Sequence, residues 1–229
     1  MTDPRITLTA ADGVATMTLD DGKANAFDAE LLDGIREALH RLEQDTSVNV
    51  LVLRGRPGML GGGMNLKIIA AGGEPRERMS IAGGKMLQAL HDTPLALVLA
   101  CTGHAVAGAA MLLLVADARV GVDGDFRIGL NEVAAGIRLA PLPIALAEGK
   151  LAKPHLMAAT AGGRLYSPAQ AVEVGYLDRI APAADYDAAL ADEVARWRPL
   201  DREIFRAVKA DVRAAASARL AAILAKQPM

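Results

Sequence analysis

The sequence predicts an α/β fold in which strand-strand-helix turns stack on one another and a helical region completes the chain. Two apolar runs, 48–53 and 95–101, each lead into a glycine-bearing turn, P-G-M-L-G-G-G-M-N-L-K at 57–67 and T-G-H-A-V-A-G-A-A at 102–110. That is how a buried strand hands over to the next element. The uncharged stretch 109–116 then reads as a buried helix. Beyond Pro141 the strand signal nearly vanishes and segments rich in Ala, Leu and Arg take over. Strand-strand-helix recurrence implies stacked turns of one core rather than a doubly wound sheet.

In chain order, 6–8 and 14–19 flank Ala11-Asp12-Gly13 and read as a hairpin. A polar loop, D-D-G-K-A-N-A-F, covers 20–27. Asp28 caps a helix whose Leu31, Leu32, Ile35, Leu39 and Leu42 follow the helical period. After strand 48–53 and the glycine loop, 76–91 carries Met79, Ile81, Met86, Leu87 and Leu90 on an amphipathic helix that Asp92-Thr93-Pro94 stops. Strands 118–122 and 126–128 follow 109–116. Helices are expected at 145–148, 153–160, 168–173 and 186–226, the last broken at Pro199. Residues 1–195 form the core, and 196–229 a helical segment for pocket closure or oligomerisation.

Composition narrows the function. With 25 basic and 27 acidic residues the net charge is −2, which gives no reason to bind nucleic acid, and 3% aromatics argue against base stacking. The one cysteine, Cys101, lies in an apolar strand and reads as a buried thiol; no His/Cys cluster suggests zinc or another metal. The apolar run 105–116 is too short to cross a bilayer, and the first residues carry no leader pattern, so a cytoplasmic protein is expected.

The chemistry starts at the glycines. The first N–H groups of a helix have no intrahelical partner and carry partial positive charge, so Gly108 can hold an oxyanion. The loop at Gly61–Gly63 offers a second donor. Positions 103–108 match half of a phosphate loop, but alanines stand where Lys and Ser/Thr must be. No Gly-x-Ser-x-Gly elbow supplies a nucleophile. Paired donors without a nucleophile suit an enolate, which needs only a carboxylate to move the proton. Glu132, between Leu130 and Val133, is either desolvated with a raised pKa or turned to solvent at the start of a helix that Asn131 caps. His104 lies near the donors, where a structural role is the better expectation.

These segments together resemble the crotonase superfamily of enoyl-CoA hydratases and isomerases across almost the whole chain. The resemblance is carried by G-K-A-N-A-F at 22–27, by L-G-G-G-M-N-L-K at 60–67, similar to Phe-Ser-Ala-Gly-x-Asp-Leu-Lys, and by G-H-A-V-A-G-A-A at 103–110, similar to Asn-Gly-x-Ala-x-Gly-Gly-Gly. It implies a crotonase-like (ββα) superhelical core with a C-terminal helical region. It also implies oxyanion donors at Gly62 and Gly108, and contact of Lys23, Ala24, Asn25, Gly63, Asn65 and Leu66 with the CoA moiety. No prosthetic group is implied; coenzyme A comes as part of an acyl-CoA substrate, and the assembly is a homotrimer or hexamer. The family's hydratases use two glutamates, and Met111 stands where one of them belongs. The other falls on Glu132, within I-G-L-N-E-V-A-A-G-I, which resembles the single-glutamate Δ3,Δ2-enoyl-CoA isomerases. Double-bond migration is therefore the expected reaction, with hydration or related crotonase chemistry as one alternative and a non-catalytic acyl-CoA binder as another.

Overall fold

A computed structural model describes residues 3–226. The chain opens with β1 (Ile6–Ala11) and β2 (Val14–Leu19), antiparallel and joined by a two-residue turn. Asp12 (φ 50°) and Gly13 (φ 81°) both take positive φ there, as a tight hairpin requires. Helix α1 (Ala29–Gln44) is capped by the Asp28 carboxylate, which accepts the Leu31 N–H at 2.9 Å, and all five leucine and isoleucine positions expected to face inward are buried.

Next come β3 (Val50–Gly55), β4 (Gly58–Gly61), α2 (Leu66–Ala71) and α3 (Gly73–Asp92). A second turn of the same plan follows: β5 (Ala96–Cys101), β6 (Gly103–Val106) and α4 (Gly108–Val115). A third begins with β7 (Ala118–Val122) and β8 (Ile128–Gly129) and continues into α5 (Pro141–Lys150). A 3-10 turn (Lys153–His155) leads into α6 (Leu156–Ala159) and α7 (Pro168–Val174), and the chain ends with β9 (Arg179–Ala181), α8 (Tyr186–Trp197) and α9 (Arg202–Leu224).

Two sheets result. The larger has the order β1-β2-β3-β5-β7-β9, parallel except for the opening hairpin; the smaller is the parallel set β4-β6-β8. Each turn of the chain adds one strand to each sheet before its helix, which is the expected superhelical ββα core. Strand β5 is buried along its whole length because both of its faces are covered. Leu97, Leu99 and Cys101 face the core shared with α1, α3 and α4, while Ala96, Val98 and Ala100 pack under Tyr186 and Leu190 of α8. Removing a side chain such as Leu97 from that interior would cost about 2–5 kcal/mol.

Helix α8 runs through residues 195 and 196, and the break between α8 and α9 falls at Pro199 as expected. Three further expectations change. Residues 103–106, read as part of a turn, form β6, because β4 and β8 lie on either side to pair with them. A short strand, β9, returns after Pro141 to extend the larger sheet beyond β7. The segment around Glu132 is a series of turns and not a helix start, so Asn131 caps nothing; the Ala135 and Ile137 N–H groups close back on the Glu132 carbonyl.

The last helix is tied down by charge. The carboxylate of Asp117, at the mouth of β7, takes Lys209 Nζ and Arg213 Nη2 at 2.6 Å each and the Leu97 N–H at 2.8 Å. Lys209 also reaches the Leu95 carbonyl, and Arg213 the carbonyls of His91 and Val115. Burial drives the Lys209 ammonium down to about 8. No helix among the described residues is long and apolar enough to cross a membrane.

Candidate active site

The site lies where the three strands of the smaller sheet end. Parallel strands release their chains at one edge, and there β4 gives way to residues 62–65, β6 to Ala107 and Gly108, and β8 to Leu130 and Glu132. A cavity of about 310 Å³ opens at this edge. One wall is a face of α3 that presents Arg76, Met79, Gly83 and Leu87 at helical spacing; Met111, Leu139 and Leu142 add further apolar lining.

Among the described lining residues Glu132 is the only carboxylate. It is half-buried, and its Oε2 lies out of solvent with no hydrogen-bond partner. Burial pushes its pKa above the ordinary glutamate value, opposed only by its own backbone N–H. Of the two possibilities open in the sequence, the desolvated one holds. Tyr176, fully buried, accepts the Leu130 N–H on its phenol oxygen at 3.3 Å and donates to the Ala159 carbonyl, fixing the chain two residues before Glu132.

The expected donor pair needs one correction. The Gly62 N–H donates to the Ala24 carbonyl at 2.8 Å, so it is engaged in holding two loops together. The amide beside Gly108 is that of Met64. Residues 63–65 run parallel to Phe27, with the Gly63 carbonyl accepting the Phe27 N–H and the Asn65 N–H donating to the Phe27 carbonyl, both at 2.8 Å. Successive peptide groups of an extended chain point opposite ways, so the Met64 N–H between them is turned away from Phe27, towards α4. Neither it nor the Gly108 N–H donates to any described residue. Gly63 permits this approach: its φ is +87°, and a Cβ there would stand 2.8 Å from Ala107 Cβ and 3.0 Å from the Gly108 nitrogen. Ala107 itself takes φ 52° and ψ −123° at the head of α4, a strained geometry for a residue with a side chain.

The other expected contacts separate. Leu66 is exposed at the cavity wall, and Gly62 lines it too. Gly108 sits buried behind Val106, Ala107 and Met111, which do line it. Asn25 is corrected: its side chain is buried, donating to the carbonyls of Leu19 and Leu60 and accepting the Asp21 N–H, so it braces the loop and does not face a ligand. The Asn65 carboxamide accepts the Lys67 N–H and caps α2. Lys23 and Ala24 are exposed; the Lys23 carbonyl accepts Arg56 and the Ala24 carbonyl accepts Gly62. His104 turns its Nδ1 to the Arg127 N–H and its ring to Phe126, a structural part outside the cavity lining. Cys101 is buried, its thiol pushed up to about 12 by desolvation. No described residue beyond Pro143 lines the cavity, and no group of three or more described His, Cys, Asp or Glu could hold a metal ion.

A coil of ββα turns with its cavity at the end of the smaller sheet is the crotonase fold. The family model for enoyl-CoA hydratase/isomerase matches residues 9–229, and the chain belongs to that family. It is similar to human mitochondrial enoyl-CoA delta isomerase 1, 29% identical over 216 residues that cover 92% of this chain and 71% of that one. It is also similar to a putative enoyl-CoA hydratase of Thermus thermophilus, 33% identical over 197 residues, 81% and 76% of the two chains. Among solved structures, an enoyl-CoA hydratase/isomerase family protein from Pseudomonas syringae superposes with a TM-score of 0.93 at 31% identity, covering 97% of this chain and 96% of that chain. Human mitochondrial delta3-delta2-enoyl-CoA isomerase does so at 0.91 and 26%, covering 96% and 89%.

Proposed function

We propose that this enzyme moves a double bond of an enoyl-CoA from Δ3 to Δ2. The thioester oxygen is received by the N–H groups of Gly108 and Met64, which stabilise the enolate formed when a proton leaves C2. Glu132 takes that proton and returns it at C4, so that the base is regenerated and nothing is added or lost. The observation that carries this reading is Glu132, the only carboxylate among the described residues of a largely apolar lining, with the thioether of Met111, 8% exposed, where a second acid would be needed to deliver a proton alongside activated water.

Coenzyme A enters as part of the substrate, along the exposed loop at Lys23 and Ala24 and past 62–66, and the reaction asks for no prosthetic group. Residues 196–229 serve assembly into a homotrimer or hexamer. In support, α9 exposes Ile204 (67%), Val208 (55%) and Val212 (79%) on one face, an apolar stripe that a neighbouring subunit would cover. Residues 227–229 lie outside the described residues. The place of work is the cytoplasm. The test is a spectrophotometric assay with 3-enoyl and 2-enoyl thioesters. Conversion of the 3-enoyl to the 2-enoyl form without hydration supports the assignment, and rapid hydration without migration overturns it.

A further inference from the structure

We propose that Arg76 and Arg138 form an anion-binding pair at the rim of the cavity, and that the acyl chain of the substrate ends in a carboxylate which they hold. The assignment of this wall to the acyl chain rests on the isomerase reading; the anion site itself does not.

The two arginines come from different segments, Arg76 from α3 and Arg138 from the stretch after Glu132, and both line the same cavity while remaining exposed. Neither makes a hydrogen bond, ion pair or ring contact with any described residue. This is not the rule for arginines nearby: Arg78, on the same helix, pairs with Glu30, and Arg127 pairs with Asp125. Arg76 also occupies the first turn of α3, where a cation opposes the helix dipole, and the Gly72 cap offers no side-chain acceptor. Glu74 and Glu77 are near in sequence, but neither lines the cavity. Two arginines and the start of α3 thus lie in or beside the lining of one cavity, where Glu132 is the only carboxylate among the described lining residues.

The position selects the kind of anion. Between Gly83, which lies against the Met64 side chain, and Arg76, α3 rises roughly 10 Å, and the wall over that distance carries Met79 and Ile69. An apolar chain of medium length with a charged end fits that sequence of surfaces. In the proposed reading the CoA phosphates pass Lys23, which is not among the residues lining this cavity.

Binding of non-reacting saturated thioesters tests this. Decanoyl-CoA and the sebacoyl-CoA monothioester have equal chain length and differ in a methyl or carboxylate end; both are titrated calorimetrically into the wild type and into R76Q/R138Q, with melting curves to confirm that the exposed substitutions leave the fold intact. The wild type is expected to bind the carboxylate form at least about tenfold more tightly, as a charge-assisted contact implies, and the variant to bind both alike. The same preference is expected with N-acetylcysteamine thioesters, which carry no phosphate. Equal affinity of the wild type for the two ends overturns the proposal. So does a variant that loses affinity equally for both CoA thioesters and for neither cysteamine thioester, which would assign the pair to the phosphates. Because no turnover is involved, a chain that fails to isomerise but keeps the carboxylate preference refutes the reaction and leaves the anion site standing.

Discussion

The amide of Gly62 is held by the carbonyl of Ala24 at 2.8 Å, and this bond decides which peptide group in the glycine loop is free to face a substrate. It fastens the loop to its neighbour and leaves the Met64 N–H, two residues on, beside Gly108.

Gly63→Ala therefore damages the site far more than Gly62→Ala. At Gly63 a methyl meets Ala107 at 2.8 Å in a left-handed backbone; at Gly62 it makes contacts of 3.4 Å or more with Ala24. Gly63→Ala should lower kcat about a hundredfold or more, the scale of losing one oxyanion donor, and cost about 1–3 kcal/mol in denaturant titration. Gly62→Ala should cost less than about 1 kcal/mol, and its kcat should fall far less. Similar losses in both would return the donor role to Gly62.

Glu132→Gln trades stability for activity. The charged carboxylate is partly desolvated and one oxygen has no partner. Its replacement by a neutral isostere should raise Tm by a few degrees, corresponding to about 1 kcal/mol, while isomerase turnover falls by about a hundred- to ten-thousand-fold. Retained turnover would remove Glu132 from the mechanism.

The pH dependence follows from the same burial. The base must be ionised, so kcat/KM rises with pH through the Glu132 pKa, with a midpoint above that of an exposed glutamate. Stability moves the other way: a folded-state pKa above the unfolded one contributes fully below the unfolded value and is lost as pH rises through the folded one. Melting curves of wild type and Glu132→Gln should thus converge as the pH is lowered through that window.

Met111→Glu places a second carboxylate across the cavity. Two like charges sharing a poorly solvated space raise one another's pKa, so the acid limb of isomerisation should move to higher pH, stability should fall by about 1–3 kcal/mol, and slow hydration of a 2-enoyl thioester should appear. An unchanged limb would mean that the two positions do not face each other.

Asp117→Asn leaves Lys209 and Arg213 buried without their carboxylate. The cost should be about 3–5 kcal/mol by urea titration, larger than that of Lys209→Met, which removes a cation together with its need for a partner.

Much of this architecture is legible in the residues. The unbroken apolar run ending at Cys101 announces a strand covered on both faces, and Asp28 with its leucines announces α1 and its cap. Short elements are not legible in the same way. Residues 103–106 become β6 because non-local partners flank them, and α2, which buries none of its six residues, offers no periodic face to read. Glu132 is legible as a carboxylate among apolar neighbours, but its environment is set by turns that no local pattern specifies. The unengaged Met64 amide is hidden for a related reason. Three glycines show where a chain bends, whereas the direction of each N–H depends on a register against Phe27, set by pairing far away in sequence.

The bond from Arg213 to the His91 carbonyl ties the final helix to the end of α3. Since another stretch of α3 forms the cavity wall, the wall's rigidity is borrowed from α9. While α9 is undocked the sheets can hold together around a slack cavity, and a firm wall exists only when that helix is in place.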